Sequence, residues 1–224
     1  MGPRCGEIAR RAILGGLAAA LAAGSASADA ISGERALRRL MQGNARYRAN
    51  HMNMRDYAAG RAARVATHRP IASVLSCSDA RVAPEFLFDQ GPGDLFVVRV
   101  AGNVLTDEGL ASLEYAAQFL GSPLIFVLGH AGCGAVEAAI KTVQDNASLP
   151  GHLPGLIDRV KPAVVAAEAT HPANLLNAAI AENVRRTTQA VGTAPPLLAA
   201  MVSDGRVKVA GGVYDIATGA VSLV

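Results

Sequence analysis

Apolar positions along this chain follow two alternating patterns. Short, nearly unbroken apolar runs are typical of strands buried in a sheet, and they occur at residues 71–75, 95–101, 124–128, 207–214 and, near the end, 220–224. Longer segments repeat their apolar residues with the period of a helix, at 33–48, 108–120, 135–142, 156–169, 173–191 and 196–203. Strands joined by connections of helix length predict an α/β fold, with a mainly parallel central sheet flanked by helices and a short closing strand.

The region before the first strand is predicted to form an N-terminal helical arm. Residues 33–48 place Ala36 and Leu40 on one side of a helix, and Ser32 is in position to cap it. Residues 49–69 are polar and rich in arginine, which predicts an extended segment whose arginines lie on a solvated surface. A compact domain has little reason to order such a segment by itself, so residues 31–69 are expected to pack on a neighbouring subunit.

Residues 1–28 have the three parts of an export signal peptide. Arg10 and Arg11 precede an apolar stretch from Ala12 to Ala23, and small residues follow as far as Ala28. The apolar stretch is too short to span a bilayer as a stable helix. The paired arginines indicate the twin-arginine route, and a Sec signal or an uncleaved anchor is the alternative. Residues 29–224 are then a single domain, expected in the periplasm or outside the cell.

Composition limits the partners of this domain. The chain has 224 residues, 51% of them hydrophobic, which suits one domain with a full core. It carries 21 basic and 18 acidic residues, and three of the basic and one of the acidic residues fall in the predicted signal, which leaves an excess of one positive charge elsewhere. This balance gives no argument for a nucleic-acid partner. No membrane contact is expected once the signal is removed.

Two motifs with metal-binding residue types come directly after apolar runs of the predicted sheet. Cys77 follows the run at 71–75, and His130 and Cys133 follow the run at 124–128. Because ligands bind outside the carboxyl ends of parallel strands, these side chains are expected at one edge of the sheet. Two thiolates and one imidazole are three ligands for Zn²⁺ and leave a fourth position open, which is typical of a catalytic zinc site.

Two other interpretations of the cysteines compete with a metal site. Two cysteines in an exported protein would ordinarily be interpreted as a disulfide. A thiol-redox protein is the second alternative, although its cysteines would be expected closer together in sequence. Neither accounts for His130, three residues before Cys133, or for Asp79 and Arg81, which follow Cys77 closely. These neighbours favour a metalloenzyme.

Asp79 and Arg81 predict how a nucleophile at the zinc is oriented. Zinc lowers the pKa of a bound water towards neutrality, but two thiolates offset its charge and weaken this effect. Asp79 is therefore expected to accept a hydrogen bond from hydroxide on zinc, while Arg81 fixes Asp79 through a fork of hydrogen bonds. Gly134, at a helix start, could offer its N–H to a developing oxyanion. Gly102 could permit close approach of the backbone in the same cleft. The alternative for either glycine, and the favoured one for Gly102, is a purely structural role.

The two motifs, Cys77-x-Asp79-x-Arg81 and His130-x-x-Cys133-Gly134, resemble the signature of the β-class carbonic anhydrases. The resemblance covers most of residues 29–224, including Gly43-Asn44-x-Arg46-Tyr47, Arg99-Val100-Ala101-Gly102-Asn103, Glu182-Asn183-Val184 and Tyr214-Asp215-x-x-Thr218-Gly219. It implies reversible hydration of CO₂ to bicarbonate and a proton by zinc-bound hydroxide. It also implies a homodimer or homotetramer, and a resting state in which Asp79 becomes a fourth zinc ligand.

The chain departs from many plant-type members of that family nine residues before Cys77. His68 stands there instead of a glutamine implicated in substrate binding. His68 could replace that contact, serve as a proton shuttle or be an ordinary loop residue. Two other functions stay open on the same scaffold: hydrolysis of CS₂ or COS, and non-catalytic binding of zinc or bicarbonate. The non-catalytic protein would be expected to lack Asp79 or Arg81, and both are present.

Overall fold

The computed structural model describes residues 31–224, so the predicted export signal lies outside the described residues. Five strands form one sheet: β1 Ala72–Ser76, β2 Leu95–Arg99, β3 Leu124–His130, β4 Lys208–Tyr214 and β5 Val221–Leu223. Their order across the sheet is β2-β1-β3-β4-β5. The first four strands are parallel and β5 is antiparallel to β4. The predicted α/β fold with a mainly parallel sheet is confirmed.

Helices connect the strands and flank the sheet. Within residues 31–224 they are α1 Gly33–Arg48, α2 Arg61–Ala66, α3 Pro84–Leu87, α4 Asp107–Phe119, α5 Gly134–Asp145, α6 Leu153–Ile157, α7 Lys161–Glu168, α8 Leu175–Gly192 and α9 Leu197–Ser203. A 3₁₀ turn, Ala101–Asn103, follows β2. None of the helices in this part of the chain combines the length and the apolar character that crossing a bilayer requires.

Strand β3 shows how the sheet is covered on both faces. All seven of its residues are buried. Phe126 packs on one side with Leu40 of α1. Ile125 packs on the other side with Leu113 of α4 and Leu198 of α9. A strand buried on both faces has apolar residues at every position, which is why the sequence shows a continuous run there.

Helix α1 has the bounds that the sequence predicts. The hydroxyl oxygen of Ser32 accepts a hydrogen bond from the backbone N–H of Arg35 at 3.3 Å, as expected of a helix cap. Ala36 and Leu40 are fully buried against the sheet of their own chain. These two positions of the apolar stripe are therefore used within the chain, and packing of residues 31–69 on a neighbouring subunit stays a prediction.

The segment between α1 and β1 differs from its prediction. It is not extended throughout, because α2 begins after Gly60, which has a φ of 72°, and consists mainly of the good helix formers arginine and alanine. Nor does Arg55 lie on a solvated surface. Its guanidinium group binds the carboxylate of Asp89, just after α3, and Arg46 of α1 binds the same carboxylate. The ion pair between Arg55 and the buried Asp89 therefore holds the segment between α1 and β1 on its own domain.

The single helix predicted over 156–169 is two helices. Helix α6 ends at Ile157 and α7 begins at Lys161, with Pro162 in its first turn. Proline lacks the N–H that an interior helical position needs but is favoured in the first turn. Pro162 therefore starts a second helix. Pro154 does the same for α6, which begins at Leu153, three residues before the predicted helix.

Candidate metal centre

The register of the sheet brings the two cysteine-containing motifs together. Ser76, the last residue of β1, pairs with Leu128 of β3. Strand β3 continues beyond its predicted end to His130, which pairs with Tyr214 of β4. Cys77 and His130 therefore stand at the carboxyl ends of neighbouring strands, as the sequence predicts, and the turn after His130 brings Cys133 back to the same edge.

Cys77, His130 and Cys133 form a buried cluster that could hold a metal ion. One ligand atom from each residue lies within 4.8 Å of the other two. The three residues are at most 5% exposed, and both cysteines are free. Two free thiols beside an imidazole are a donor set that suits zinc, and they are not joined as the disulfide interpretation requires.

The ring of His130 is oriented as that of a metal ligand. Its Nδ1 lies 3.0 Å from the carbonyl oxygen of Ala131, which can only accept, so the ring proton lies on Nδ1. Nε2 is buried and has no hydrogen-bond partner among residues 31–224. Buried polar atoms are nearly always partnered, so a lone pair left free beside two thiols fits a metal-binding role. The nitrogen opposite such a lone pair commonly donates to a carbonyl.

The two thiols differ in how readily they lose a proton. Hydrogen bonding with Cys133 lowers the pKa of Cys77 to about 4 against the opposing effect of burial, and His130 and the Gly102 amide act in the same direction. The same contact with Cys77, together with burial, raises the pKa of Cys133. The hydrogen bond shared by the two sulfurs therefore favours a single thiolate in the cluster. A second negative charge requires a cation to offset it, which again fits a metal ion.

Arg81 holds the carboxylate of Asp79 beside this cluster. Oδ1 accepts hydrogen bonds from the backbone N–H and from Nε of Arg81, both at 2.9 Å, and Oδ2 accepts one from Nη2 at 2.7 Å. The Arg81 hydrogen bonds hold the pKa of Asp79 well below its usual range, although burial opposes them. Asp79 Oδ2 lies 3.8 Å from His130 Nε2, so an ionised carboxylate faces the cluster.

Two residues hold the Cys77 end of the site: Arg99, at the end of β2, and Gly102, in the 3₁₀ turn that follows. Arg99 donates from Nε to the carbonyl oxygen of Cys77 at 3.1 Å and from Nη2 to that of Asp79 at 2.6 Å. The backbone N–H of Gly102 donates to Cys77 Sγ at 3.2 Å. In the sequence, residues 99–103 stood out mainly because they resemble a motif of the family, and no role was predicted for Arg99. The one local signal was a glycine just after a strand, and Gly102 does adopt a φ of 69°.

Comparison with known proteins agrees with this geometry. The carbonic anhydrase family model matches residues 72–221, which include both motifs. The chain belongs to the β-carbonic anhydrase family. Carbonic anhydrase 2 of Mycobacterium tuberculosis is 44% identical over 130 residues, which cover 56% of this chain and 61% of that protein. The match with this relative therefore spans less than two thirds of the relative's length.

Two further likenesses extend over more of the β-carbonic anhydrase chain. The carbonic anhydrase of Mycolicibacterium smegmatis is 35% identical over 185 residues, which cover 82% of this chain and 89% of that protein. A β-carbonic anhydrase structure from the filamentous ascomycete Sordaria macrospora matches with a TM-score of 0.66 at 22% identity, covering 75% of this chain and 87% of that one. The structural likeness concerns the fold.

The remaining residues singled out from the sequence of this β-carbonic anhydrase lie in different surroundings. Gly134 is the first residue of α5, next to Cys133, and a Cβ there would meet open space. Packing therefore does not require a glycine at that position. His68 is exposed, and its ring lies 6.3 Å from that of Phe96, which pairs with Ser73 near the start of β1. Among the described residues, His68 is not part of the group formed by Cys77, His130 and Cys133.

Proposed function

We propose that this protein catalyses the reversible hydration of CO₂ to bicarbonate and a proton, with Zn²⁺ held by Cys77, His130 and Cys133. The observation that carries the proposal is the buried cluster of ligand atoms within 4.8 Å of one another, with the Asp79 carboxylate facing it. Membership of the β-carbonic anhydrase family supports the choice of reaction. When bound, zinc supplies Lewis acidity, which lowers the pKa of a water towards neutrality.

Asp79 would orient the attacking oxygen. An ionised carboxylate can only accept hydrogen bonds, so it would accept one from the hydroxyl hydrogen of the nucleophile and leave an oxygen lone pair directed at the carbon of CO₂. Arg81 contributes three hydrogen bonds to this carboxylate, which keep it ionised and fix its plane. The Asp79–Arg81 pair would therefore orient the nucleophilic oxygen. A site with two thiolates needs this help, because the thiolates offset much of the positive charge of zinc.

The reaction forms one oxygen–carbon bond and moves one carbon–oxygen π pair onto an oxygen of CO₂. That oxygen gains negative charge, and the backbone N–H of Gly134 at the start of α5 is suited to stabilise it. The helix adds a favourable field, since the N-terminal end of a helix carries partial positive charge. One proton is released for each bicarbonate formed. His68 stays a candidate for carrying it only if a second subunit brings it to the site.

We also infer that the active form is a homodimer or homotetramer. The similar β-carbonic anhydrases of Sordaria macrospora are tetrameric. On this chain, Tyr115 and Phe119 of α4 form an exposed ring pair with centroids 5.3 Å apart, 51% and 73% exposed. Large exposed aromatic groups are typical of contact surfaces. Light scattering should give at least twice the mass of one chain, and a fully active monomer would contradict the inference.

Export from the cytoplasm is proposed on the sequence of residues 1–28 alone. The mature chain is expected to begin near Asp29 or Ile31 and to be recovered from the periplasm or the medium. Replacing Arg10 and Arg11 by lysine should retain the protein inside the cell if the twin-arginine route is used. Unchanged export of that variant would indicate the Sec route, and an unprocessed cytoplasmic protein would contradict export.

The test of the proposed reaction is stopped-flow CO₂ hydration by protein whose metal content has been measured. We expect about one zinc per chain and activity proportional to zinc occupancy. Cys77→Ser should lose both zinc and activity, whereas Ser78→Ala, a change at the exposed neighbouring residue, should keep both. Full zinc retention by Cys77→Ser would overturn the ligand assignment. Zinc-replete protein that does not accelerate hydration would overturn the reaction.

A further inference from the structure

We propose that Asn183 of α8 is a positioning residue for the metal centre, because it fixes the backbone of Gly102 so that the Gly102 N–H donates to the sulfur of Cys77. Asn183 does not touch the cluster and acts through Gly102. The inference rests on the proposed function, since a metal held by Cys77 is what this hydrogen bond would tune.

Two hydrogen bonds join α8 to Cys77. Asn183 Nδ2 donates to the carbonyl oxygen of Gly102 at 2.8 Å. The N–H of Gly102 donates to Cys77 Sγ at 3.2 Å. The bonds engage the two peptide units on either side of the Gly102 Cα, so both are held. Asn183 is only 3% exposed, and water therefore has little access to replace its amide group.

The backbone of Gly102 needs such support. Glycine has the greatest conformational freedom of any residue, and Gly102 adopts a φ of 69°. A side chain would not fit well, because a Cβ there would lie 3.1 Å from the Cβ of Ala135 and 3.4 Å from Cγ2 of Val160. The position thus requires glycine, whose peptide orientation must be set by its hydrogen-bond partners.

Asn183 is itself held firmly, because α8 approaches the sheet closely at two glycines. A Cβ on Gly129 of β3 would lie 2.5 Å from Cγ2 of Val184, and one on Gly211 of β4 would lie 2.7 Å from Cγ1 of the same side chain. Val184 is fully buried. It anchors the helical turn that carries Asn183 against β3, the strand that ends at His130.

The hydrogen bond to Cys77 Sγ would change how much electron density the sulfur donates to a bound metal ion. Hydrogen bonds to metal-bound sulfur withdraw electron density and tune the site. In a centre with two thiolates, such withdrawal leaves more positive charge on the metal. Removing the Asn183 donor would leave a buried carbonyl without a partner and free Gly102 to turn, which weakens the bond to sulfur.

The test compares Asn183→Asp and Asn183→Leu, which keep the approximate shape of asparagine but lack its amide donor. One readout is the rate of zinc loss to a chelator. The other is the sulfur-to-metal charge-transfer band of the Co²⁺-substituted protein. We expect zinc release to be about 10- to 100-fold faster in both variants, and the band to move to lower energy because the sulfur is less stabilised.

Thr187→Val is the matched control, since Thr187 lies one turn further along α8 and is 7% exposed. It should leave the release rate and the band unchanged. If the Asn183 variants lower only the melting temperature, or if Thr187→Val releases zinc equally fast, Asn183 has no positioning role and the inference is overturned. A wild-type protein that binds zinc without hydrating CO₂ would overturn the proposed function, whereas the release rates would still test this inference.

A measurement on the unchanged protein does not depend on the variants folding. In ¹¹³Cd-substituted protein, the amide proton of Gly102 should show a scalar coupling to the metal across the N–H···S bond. It should also exchange slowly with solvent, because the bond is buried. A rapidly exchanging, uncoupled Gly102 amide would remove the basis of the inference.

Discussion

Asp79 and Asp89 are both held by arginine, yet they have different environments. Asp79 binds Arg81, two residues away, and its side chain is 18% exposed beside the cluster of Cys77, His130 and Cys133. Asp89 is fully buried and binds Arg46 and Arg55, which precede it by 43 and 34 residues. The local pair orients a charge at the site, whereas the distant partners tie three segments of the chain together.

The two aspartates use the same kind of ion pair for different purposes. Exposed pairs contribute little to folding because solvent screens them. Breaking a buried ion pair lowers stability strongly, since the charge that remains in the interior has no partner. Asp79 should therefore matter for turnover and hardly for stability, and Asp89 should matter for stability and hardly for turnover.

The largest effect is expected for Asp89→Ala. Loss of this carboxylate leaves Arg46 and Arg55 without their partner and should lower the free energy of unfolding by about 3 kcal/mol. Urea denaturation measures this change. Asp204→Ala is the control, because Asp204 pairs with Arg206 at the surface and should have little effect. A loss from Asp89→Ala as small as that from the control would contradict a structural role.

Asp79→Ala should have the opposite profile. Turnover of CO₂ is expected to fall about 10²-fold because the nucleophile is no longer oriented, while bound zinc is retained. The free energy of unfolding should change by less than about 1 kcal/mol. Stopped-flow assay, elemental analysis and urea denaturation measure the three quantities. Near-normal hydration by this variant would show that the Asp79–Arg81 pair is only structural.

Arg81→Lys tests whether the shape of the guanidinium group matters for holding Asp79. Lysine keeps the positive charge but cannot reproduce the fork of hydrogen bonds to both carboxylate oxygens. Turnover should fall about 10-fold, less than in Arg81→Ala, with zinc retained. Equal activity of the lysine variant and the wild type would mean that charge alone suffices and that orientation of Asp79 is unimportant.

The smallest effect concerns the pH dependence of stability. Burial acts to raise the pKa of Asp89, but hydrogen bonds from Arg55 and Arg46 hold it below its usual value of about 3.9. A lowered folded-state pKa contributes stability above pH 3.9 that is lost as pH falls through the folded value. Zinc-free wild type should therefore lose more stability than zinc-free Asp89→Asn between pH 5 and pH 3. Parallel losses would contradict this.

The parts of the site that could be predicted are the metal-binding residue types that come directly after an apolar run. Cys77 directly follows β1 and His130 ends β3, and the pairing of these strands is set by their hydrophobic pattern, so the meeting of the two residues at one edge could be predicted. The partners of Asp89 and Gly102 could not, because Arg55 and Asn183 reach them through tertiary packing that no local pattern records. The division between α6 and α7 was missed for a different reason, since Pro162 was counted within a helix that it begins.

The most direct test of the central claim is turnover per bound zinc, measured by stopped-flow CO₂ hydration for wild type, Asp79→Ala and Asp89→Ala at a temperature where all three are folded. Wild type and Asp89→Ala should be indistinguishable, and Asp79→Ala should be about 10²-fold slower. Equal rates in all three proteins, or a loss in Asp89→Ala as large as that in Asp79→Ala, would contradict the role of Asp79 in orienting the nucleophile.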